Sequence, residues 1–320
     1  MPNEPLPLEQ SRPAHGVLLA GPRAFCAGVE RAIEIVRRLL DQHGAPIYVR
    51  KQIVHNVHVV HDLQRQGAVF VDELEEVPAG ATVVFSAHGV SPKVRDEAGA
   101  RGLDVIDATC PLVTKVHSQV RRYARRGDTV VLIGHAGHDE AVGTLGQAPQ
   151  QTVLVETVDD VAKLDITGPV SYVTQTTLAV EEAQAIVAAL NQRFPGIAGP
   201  DSEDICYATT NRQRAVRAVA EDADVILVVG SANSTNSNNL VEVARRSGTP
   251  AYLIEDAGSI DPGWLAGATV VGVTAGASAS PDLVAGVVEW LAEHGHTEVA
   301  ERNITTEMMS FGLPLEVRDK

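Results

Sequence analysis

Scarcities set the outer bounds on what this chain of 320 residues can be. Aromatic residues make up only 4% of it. A core must therefore be built from Val, Leu, Ile and Ala, and the many Val–Val runs beside Ala-rich stretches point to an α/β protein. Positive charge is also short. The 26 Lys and Arg stand against 41 Asp and Glu, for a formal net charge of −15, which argues against non-specific nucleic-acid binding as the main activity. There are only three cysteines. An odd number excludes a complete disulfide framework, and their wide spacing suits reduced or metal-holding thiols in a cytoplasmic protein. No apolar run is long enough to span a bilayer. Neither Gly-x-Gly-x-x-Gly nor a Gly-Lys-Ser/Thr loop occurs, so a plain dinucleotide or P-loop reading has no support.

What remains is regular. Residues 1–15 are Pro-rich and lack a basic segment followed by an apolar run, so a flexible tail is expected there and not a signal peptide. From Val17 onward an apolar run, a turn of small polar residues and a helical segment recur about eight times. The apolar runs include 17–20, 47–49, 68–71, 82–85, 129–133, 225–229 and 269–273. The spacing of Val29, Ala32, Ile33, Val36, Leu39 and Leu40 predicts an amphipathic helix, as does that of Val113, Val116, Val120 and Tyr123. Ser91 and Pro92 read as N-cap and first residue of another, to about Arg101. Such units build parallel sheets flanked by helices, whose ligands bind beyond the carboxyl ends of the strands. The basic run 121–126 reads as a solvated helix face, with a docking patch for an acidic protein as the lesser reading. From Thr297 onward no period is visible, and an arm or tail is expected.

Each cysteine sits where an apolar run turns into a helix, one in each third of the chain. Cys26 follows 17–20, Cys110 follows Val105-Ile106-Asp107, and Cys206 follows Ile205. Helix N-termini favour a thiolate, the ligand that iron–sulfur clusters require. Three cysteines on a four-iron cubane would leave one iron open as a Lewis acid. Three small buried hydrophobes and a three-cysteine zinc site are the alternatives. His55, His88 and His138 fall at strand ends, as caps or as the shared holders of an anion. His43, His58, His61, His117 and His294 look structural. Glu140, two residues after His138, either complements a helix start or delivers protons beside a metal. Ser234-Thr235-Asn236 and Ser278 lie on small-residue loops before helices, which suits either a phosphate site or ordinary capping.

Six segments then resemble one family. Phe25-Cys26-Ala27-Gly28-Val29-Glu30-Arg31-Ala32, Ser86-Ala87-His88-Gly89-Val90, Asp107-Ala108-Thr109-Cys110-Pro111, Thr174-Gln175-Thr176-Thr177, Cys206-Tyr207-Ala208-Thr209-Thr210-Asn211-Arg212-Gln213 and Thr274-Ala275-Gly276-Ala277-Ser278 are similar, in this order, to the signatures of the 4-hydroxy-3-methylbut-2-enyl diphosphate reductases, the LytB family. The resemblance runs from about Val17 to about His294. It implies three similar α/β domains in a trefoil around a central cavity, with mostly parallel sheets flanked by helices. The expected domains are 28–110, 111–203, and 1–27 with 204–296, leaving 297–320 as a C-terminal arm or tail. It implies one [4Fe-4S] cluster held by Cys26, Cys110 and Cys206, and a diphosphate held by His55, His88, His138, Ser234, Thr235, Asn236 and Ser278. Glu140 would donate the proton, and Thr176 would hydrogen-bond both Glu140 and the substrate hydroxyl. The implied reaction removes that hydroxyl as water and gives isopentenyl and dimethylallyl diphosphate. Its electrons would come from ferredoxin or flavodoxin with its reductase, in a cytoplasmic monomer without nucleic-acid or membrane partners. Two positions depart from the pattern. Thr235 stands where the family often has Ser, and Ser280 precedes Pro281 where it often has Pro.

Two rivals stay open on the residues alone. One is a hydrolase using Cys110 or Cys206 with a histidine as its nucleophile pair. The other is a non-catalytic phosphate-ligand-binding protein with a zinc or buried-thiol core.

Overall fold

Runs of Val, Leu and Ile without alternating polar residues need cover on both faces, and parallel sheets provide it. The computed structural model describes residue 13 and residues 15–318; the tail expected over residues 1–15 falls mostly on 1–12 and 14, outside the described residues. In chain order the elements are β1 (Gly16–Gly21), α1 (Ala27–His43), β2 (Ile47–Arg50), α2 (Val57–Gln66), β3 (Ala68–Val71), β4 (Thr82–Phe85), α3 (Pro92–Ala100), β5 (Asp104–Asp107) and α4 (Pro111–Arg126). There follow β6 (Thr129–Ile133), α5 (Asp139–Leu145), β7 (Thr152–Val155), α6 (Val158–Lys163), β8 (Val170–Thr174), α7 (Val180–Arg193) and α8 (Tyr207–Ala220). The chain continues with β9 (Val225–Val229), α9 (Thr235–Arg246), β10 (Ala251–Ile254), β11 (Val270–Ala275), α10 (Pro281–Glu293) and β12 (Glu298–Asn303).

The strands form three sheets, of order β10-β9-β11-β1-β12, β3-β2-β4-β5 and β7-β6-β8. Every registered pairing between these strands is parallel. Two compact units result. One comprises the described residues up to Cys26, His55–Val59 and Tyr207–Met309; the other comprises Ala27–Val54, Val60–Cys206 and the described residues from Ser310 on.

In the first unit the pleat of β1 divides the core. Val17 and Leu19 pack with Val271, Val273 and the α10 residues Val284, Val287 and Leu291. Leu18 and Ala20 pack on the opposite face with Val216 and Val219 of α8 and Leu240 and Val243 of α9. Each fully buried aliphatic of this kind contributes about 1.5–3 kcal/mol. In the second unit β6 is covered likewise. Val131 and Ile133 face Ile186 and Leu190 of α7, while Val130 and Leu132 face Val116, Val120 and Tyr123 of α4. The face expected for α4 is thus the buried one, and Ser91 caps α3 with Pro92 in its first turn, as read from the sequence.

Three elements have no apolar period in the sequence. The segment 297–320, expected as an arm or tail, carries a strand near its start. β12 pairs with β1 from Gly16↔Glu298 to Gly21↔Asn303. It is an edge strand of charged and half-exposed residues, so it shows neither an apolar run nor alternation. α5 and α6 have 7 and 6 residues, too few for a period; their signals are caps, His138 for α5 and the Thr157–Asp160 capping box for α6. No helix among the described residues is long and apolar enough to cross a membrane.

Candidate active site

Parallel pairing places the polar loops side by side. In the first unit β11 lies between β9 and β1, with Ala275 opposite Val229. The carboxyl edge of that sheet therefore carries the loop 230–234, the loop 276–280 and the turn that presents Cys26. The amide of Cys26 donates to the carbonyl of Ala277 at 3.2 Å, which ties the Cys26 backbone to the residue before Ser278. Ser278 Oγ donates to the carbonyl of His55 at 2.9 Å. Its hydroxyl hydrogen is thereby committed to joining two loops. The amide of Val57 donates to Ser231 Oγ at 3.1 Å, tying the His55 segment to the loop after β9.

Ser234 is the N-cap of α9, accepting from the amide of Ser237 at 3.3 Å, so capping accounts for one residue of the polar run. It does not account for Asn236, which is 5% exposed and has no partner for either amide atom among the described residues. An unsatisfied buried amide costs roughly 1–3 kcal/mol, and a ligand that bonds it recovers that cost. The amide approaches Gly276 closely: a Cβ there would lie 3.4 Å from Asn236 Nδ2 and 2.1 Å from Ser237 Oγ. Thr274 Oγ1 and Asn56 Nδ2 are likewise buried without partners. Thr274 opens one of the signature segments and Asn56 follows His55, but neither was given a site role from the sequence. Both stand at the polar end of an apolar run, which was the available signal.

In the second unit Phe85 lies opposite Asp107, so the loops carrying His88 and Cys110 are neighbours. The amide of Cys110 donates to the carbonyl of Ala87 at 3.0 Å. Gly89 holds φ +78°, and a Cβ on it would meet His117 Cε1 at 2.7 Å. Burial, followed by repulsion from Arg121 and Arg95, lowers the pKa of His117 to about 4. It is a neutral ring packed behind this turn, as its structural assignment requires. The rings of His88 and His138 meet edge-on with centroids 5.7 Å apart. His138 is the N-cap of α5, its Nδ1 accepting from the amide of Glu140 at 3.1 Å; in the neutral ring the proton is then on Nε2.

Ile133 lies opposite Thr174, which sets Glu140, in the first turn of α5, against the loop after β8. Glu140 is 2% exposed. Thr176 donates twice to it, from its amide to Oε1 at 2.6 Å and from Oγ1 to Oε2 at 2.9 Å. Burial pushes the Glu140 pKa up to about 7; the two Thr176 bonds oppose this, and nearby Asp204 adds to it. The carbonyl of Thr176 accepts from the amide of Cys206 at 3.0 Å, so one residue joins the acid to the third thiol. Buried Asp204, two residues earlier, accepts from the amide of Thr174 at 3.2 Å; it lies in a segment with no period to reveal it.

One unit thus carries Cys26, His55, Ser234, Thr235, Asn236 and Ser278, and the other Cys110, His88, His138, Glu140, Thr176 and Cys206. The thiols of Cys26, Cys110 and Cys206 are all half-buried, and each stands at the start of a helix, α1, α4 or α8.

The family model described as LytB protein matches residues 17–292. The chain belongs to the LytB family. A LytB relative from Mycobacterium bovis, named 4-hydroxy-3-methylbut-2-enyl diphosphate reductase 2, is 58% identical over 308 residues, 94% of each chain. One from Bordetella pertussis, named 4-hydroxy-3-methylbut-2-enyl diphosphate reductase, is 59% identical over 300 residues, 93% of this chain and 92% of its own. Among solved structures, the E-1-hydroxy-2-methyl-but-2-enyl-4-diphosphate reductase of Plasmodium falciparum superposes with a TM-score of 0.93 at 37% identity, covering 95% of this chain and 97% of its own. A second solved reductase, described as the terminal enzyme of the non-mevalonate pathway, gives 0.64 at 32% identity over 87% and 99%. The parallel α/β fold expected from the sequence is shared with these LytB structures.

Proposed function

We propose that this chain reduces (E)-4-hydroxy-3-methylbut-2-enyl diphosphate to isopentenyl and dimethylallyl diphosphate. The reaction consumes two electrons and two protons, breaks the allylic C–O bond, forms one C–H bond and releases water. The observation that carries the reading is Glu140: a buried carboxyl with a pKa near 7, gripped by Thr176, on a family match spanning most of the chain.

Three half-buried thiols at helix starts are a donor set suited to an iron–sulfur cluster, and Cys26, Cys110 and Cys206 would hold it. Once bound, the group supplies the electrons and an electrophilic iron that the C–O cleavage requires. The chain's own residues do the rest. His55, His88, His138, Ser234, Thr235, Asn236 and Ser278 hold the diphosphate without a Lys or Arg clamp, through imidazole and amide donors and the N–H groups that open α9. The amide of Asn236 enters this set with its hydrogen-bonding capacity unspent. Burial disfavours the carboxylate, so with a pKa of about 7 Glu140 holds its proton in about half of the molecules at neutral pH, and it delivers that proton to the departing oxygen. Thr176 fixes both carboxylate oxygens and so aims the acid. The electron donor is proposed to be ferredoxin or flavodoxin with its reductase, and the working species a cytoplasmic monomer.

The test is anaerobic turnover of the purified chain, reconstituted with iron and sulfide and given a chemical reductant and the allylic diphosphate. The expected products are the two five-carbon diphosphates. A colourless protein that turns over nothing, or a hydrolytic activity indifferent to oxygen, would overturn the reading. Glu140→Gln is expected to bind substrate and lose about 10²–10⁴-fold in kcat.

A further inference from the structure

Each cysteine is followed, five or six residues on, by a cation of the helix it opens. Each cation reaches the backbone just ahead of a different cysteine. Arg31 of α1, five residues beyond Cys26, donates from Nη1 to the carbonyls of Ala108 and Thr109, both at 3.2 Å. These are the two residues before Cys110. Lys115 of α4, five residues beyond Cys110, donates from Nζ to the carbonyls of Ser202 and Glu203 at 2.9 and 2.8 Å and pairs with Asp204 Oδ1 at 3.2 Å. These three lie just before Cys206. Arg212 of α8, six residues beyond Cys206, donates from Nη2 to the carbonyls of Ala24 and Phe25 at 2.7 and 3.3 Å. Its Nε also reaches Ala24 at 3.1 Å, and these are the two residues before Cys26.

We propose that Arg31, Lys115 and Arg212 are positioning residues for the cluster ligands, each fixing the loop that delivers the next cysteine, in the order 26 to 110, 110 to 206 and 206 back to 26. The inference rests on the reading that the three sulfurs share one iron centre. Its physical basis is the chemistry of the grip. A guanidinium matches a pair of adjacent carbonyls with a planar fork, and an ammonium does so with three rotatable donors. The bonds are to backbone, so they set where a loop runs whatever its side chains are. Arg212 is fully buried, and a charge in that position is tolerated only with its donors satisfied; Ala208 and Glu307 take the bonds from Nη1, at 3.0 Å for the Ala208 carbonyl and 3.1 Å for Glu307 Oε1. Arg31 lies close enough to Cys110 for the two charges to interact, although burial is the larger influence on its guanidinium and lowers its pKa.

Lys115 is the residue to change first, because its side chain is 33% exposed, whereas Arg212 is fully buried. The full-length chain is reconstituted anaerobically with iron and sulfide, and the rate at which a chelator strips the iron is measured. Lys115→Met is expected to lose iron about tenfold faster, Lys115→Arg to restore retention, and Arg125→Met on the same helix to match the wild type. In the iron-free chain, amide hydrogen exchange supplies a second readout. Lys115→Met is expected to quicken exchange at 204–206 and not at 108–110, and Arg31→Met the reverse. Unchanged iron release with unchanged exchange, or loosening of both loops in either variant, would overturn the proposal. A wild-type chain that takes up no iron would instead overturn the shared iron centre on which it rests.

Discussion

At the scale of single residues, Glu140 makes a prediction in stability as well as in turnover. Its folded pKa of about 7 lies above its ordinary value of 4.5. Below pH 4.5 both states hold the proton, and between 4.5 and 7 the folded state keeps it while the unfolded state releases it. Stability therefore falls as pH rises through that window, by on the order of 3 kcal/mol from this group. In the iron-free chain, Glu140→Gln is expected to flatten the fall in melting temperature between pH 4.5 and 7; an unchanged slope would remove the burial argument. In its proposed role as the acid the same carboxyl must be protonated, so kcat is expected to decline as pH rises through about 7. Both Thr176 bonds favour the carboxylate. Thr176→Val deletes the Oγ1 bond and leaves the amide bond, so the declining limb is expected to move to higher pH, while Thr176→Ser keeps it in place. A pH–rate profile of each variant decides.

At the scale of elements, the proposed diphosphate site depends on how closely the first turn of α9 approaches the loop after β11. A Cβ on Gly276 would clash with Ser237 Oγ at 2.1 Å, and Ser237 is fully buried, so the turn carrying Asn236 must shift. Gly276→Ala is expected to lower kcat/KM by about 10²-fold with the circular dichroism spectrum unchanged, and full activity would show that the approach is dispensable. These relations explain which parts of the structure could be read beforehand. The strands 68–71, 82–85, 129–133 and 225–229 were readable to the residue because each is an apolar run, led in two cases by a threonine, between turn signals. The placement of Cys26, Cys110 and Cys206 at helix starts was readable for the same reason. β12 was not, since its partner β1 and not its own pattern makes it a strand. Neither was the use of the Ser278 hydroxyl, which depends on a carbonyl of His55 far away in the chain. Local pattern reveals elements; contacts between distant loops must be seen.

At the scale of the molecule, one plan repeats. A parallel sheet brings polar loops to its carboxyl edge, and the amide of each cysteine is bonded to such a loop, at Ala277, Ala87 or Thr176. The three acceptors belong to the segments that carry Ser278, His88 and Thr176, so every sulfur is tied by backbone to a residue proposed to hold or serve the substrate. A single centre of the kind proposed would have no redundancy among its ligands. The most direct measurement is iron and acid-labile sulfide per chain in the anaerobically reconstituted wild type and in Cys26→Ser, Cys110→Ser and Cys206→Ser. The expected result is about four irons in the wild type and a marked loss in each of the three variants. A variant that keeps the full complement of iron would contradict the account.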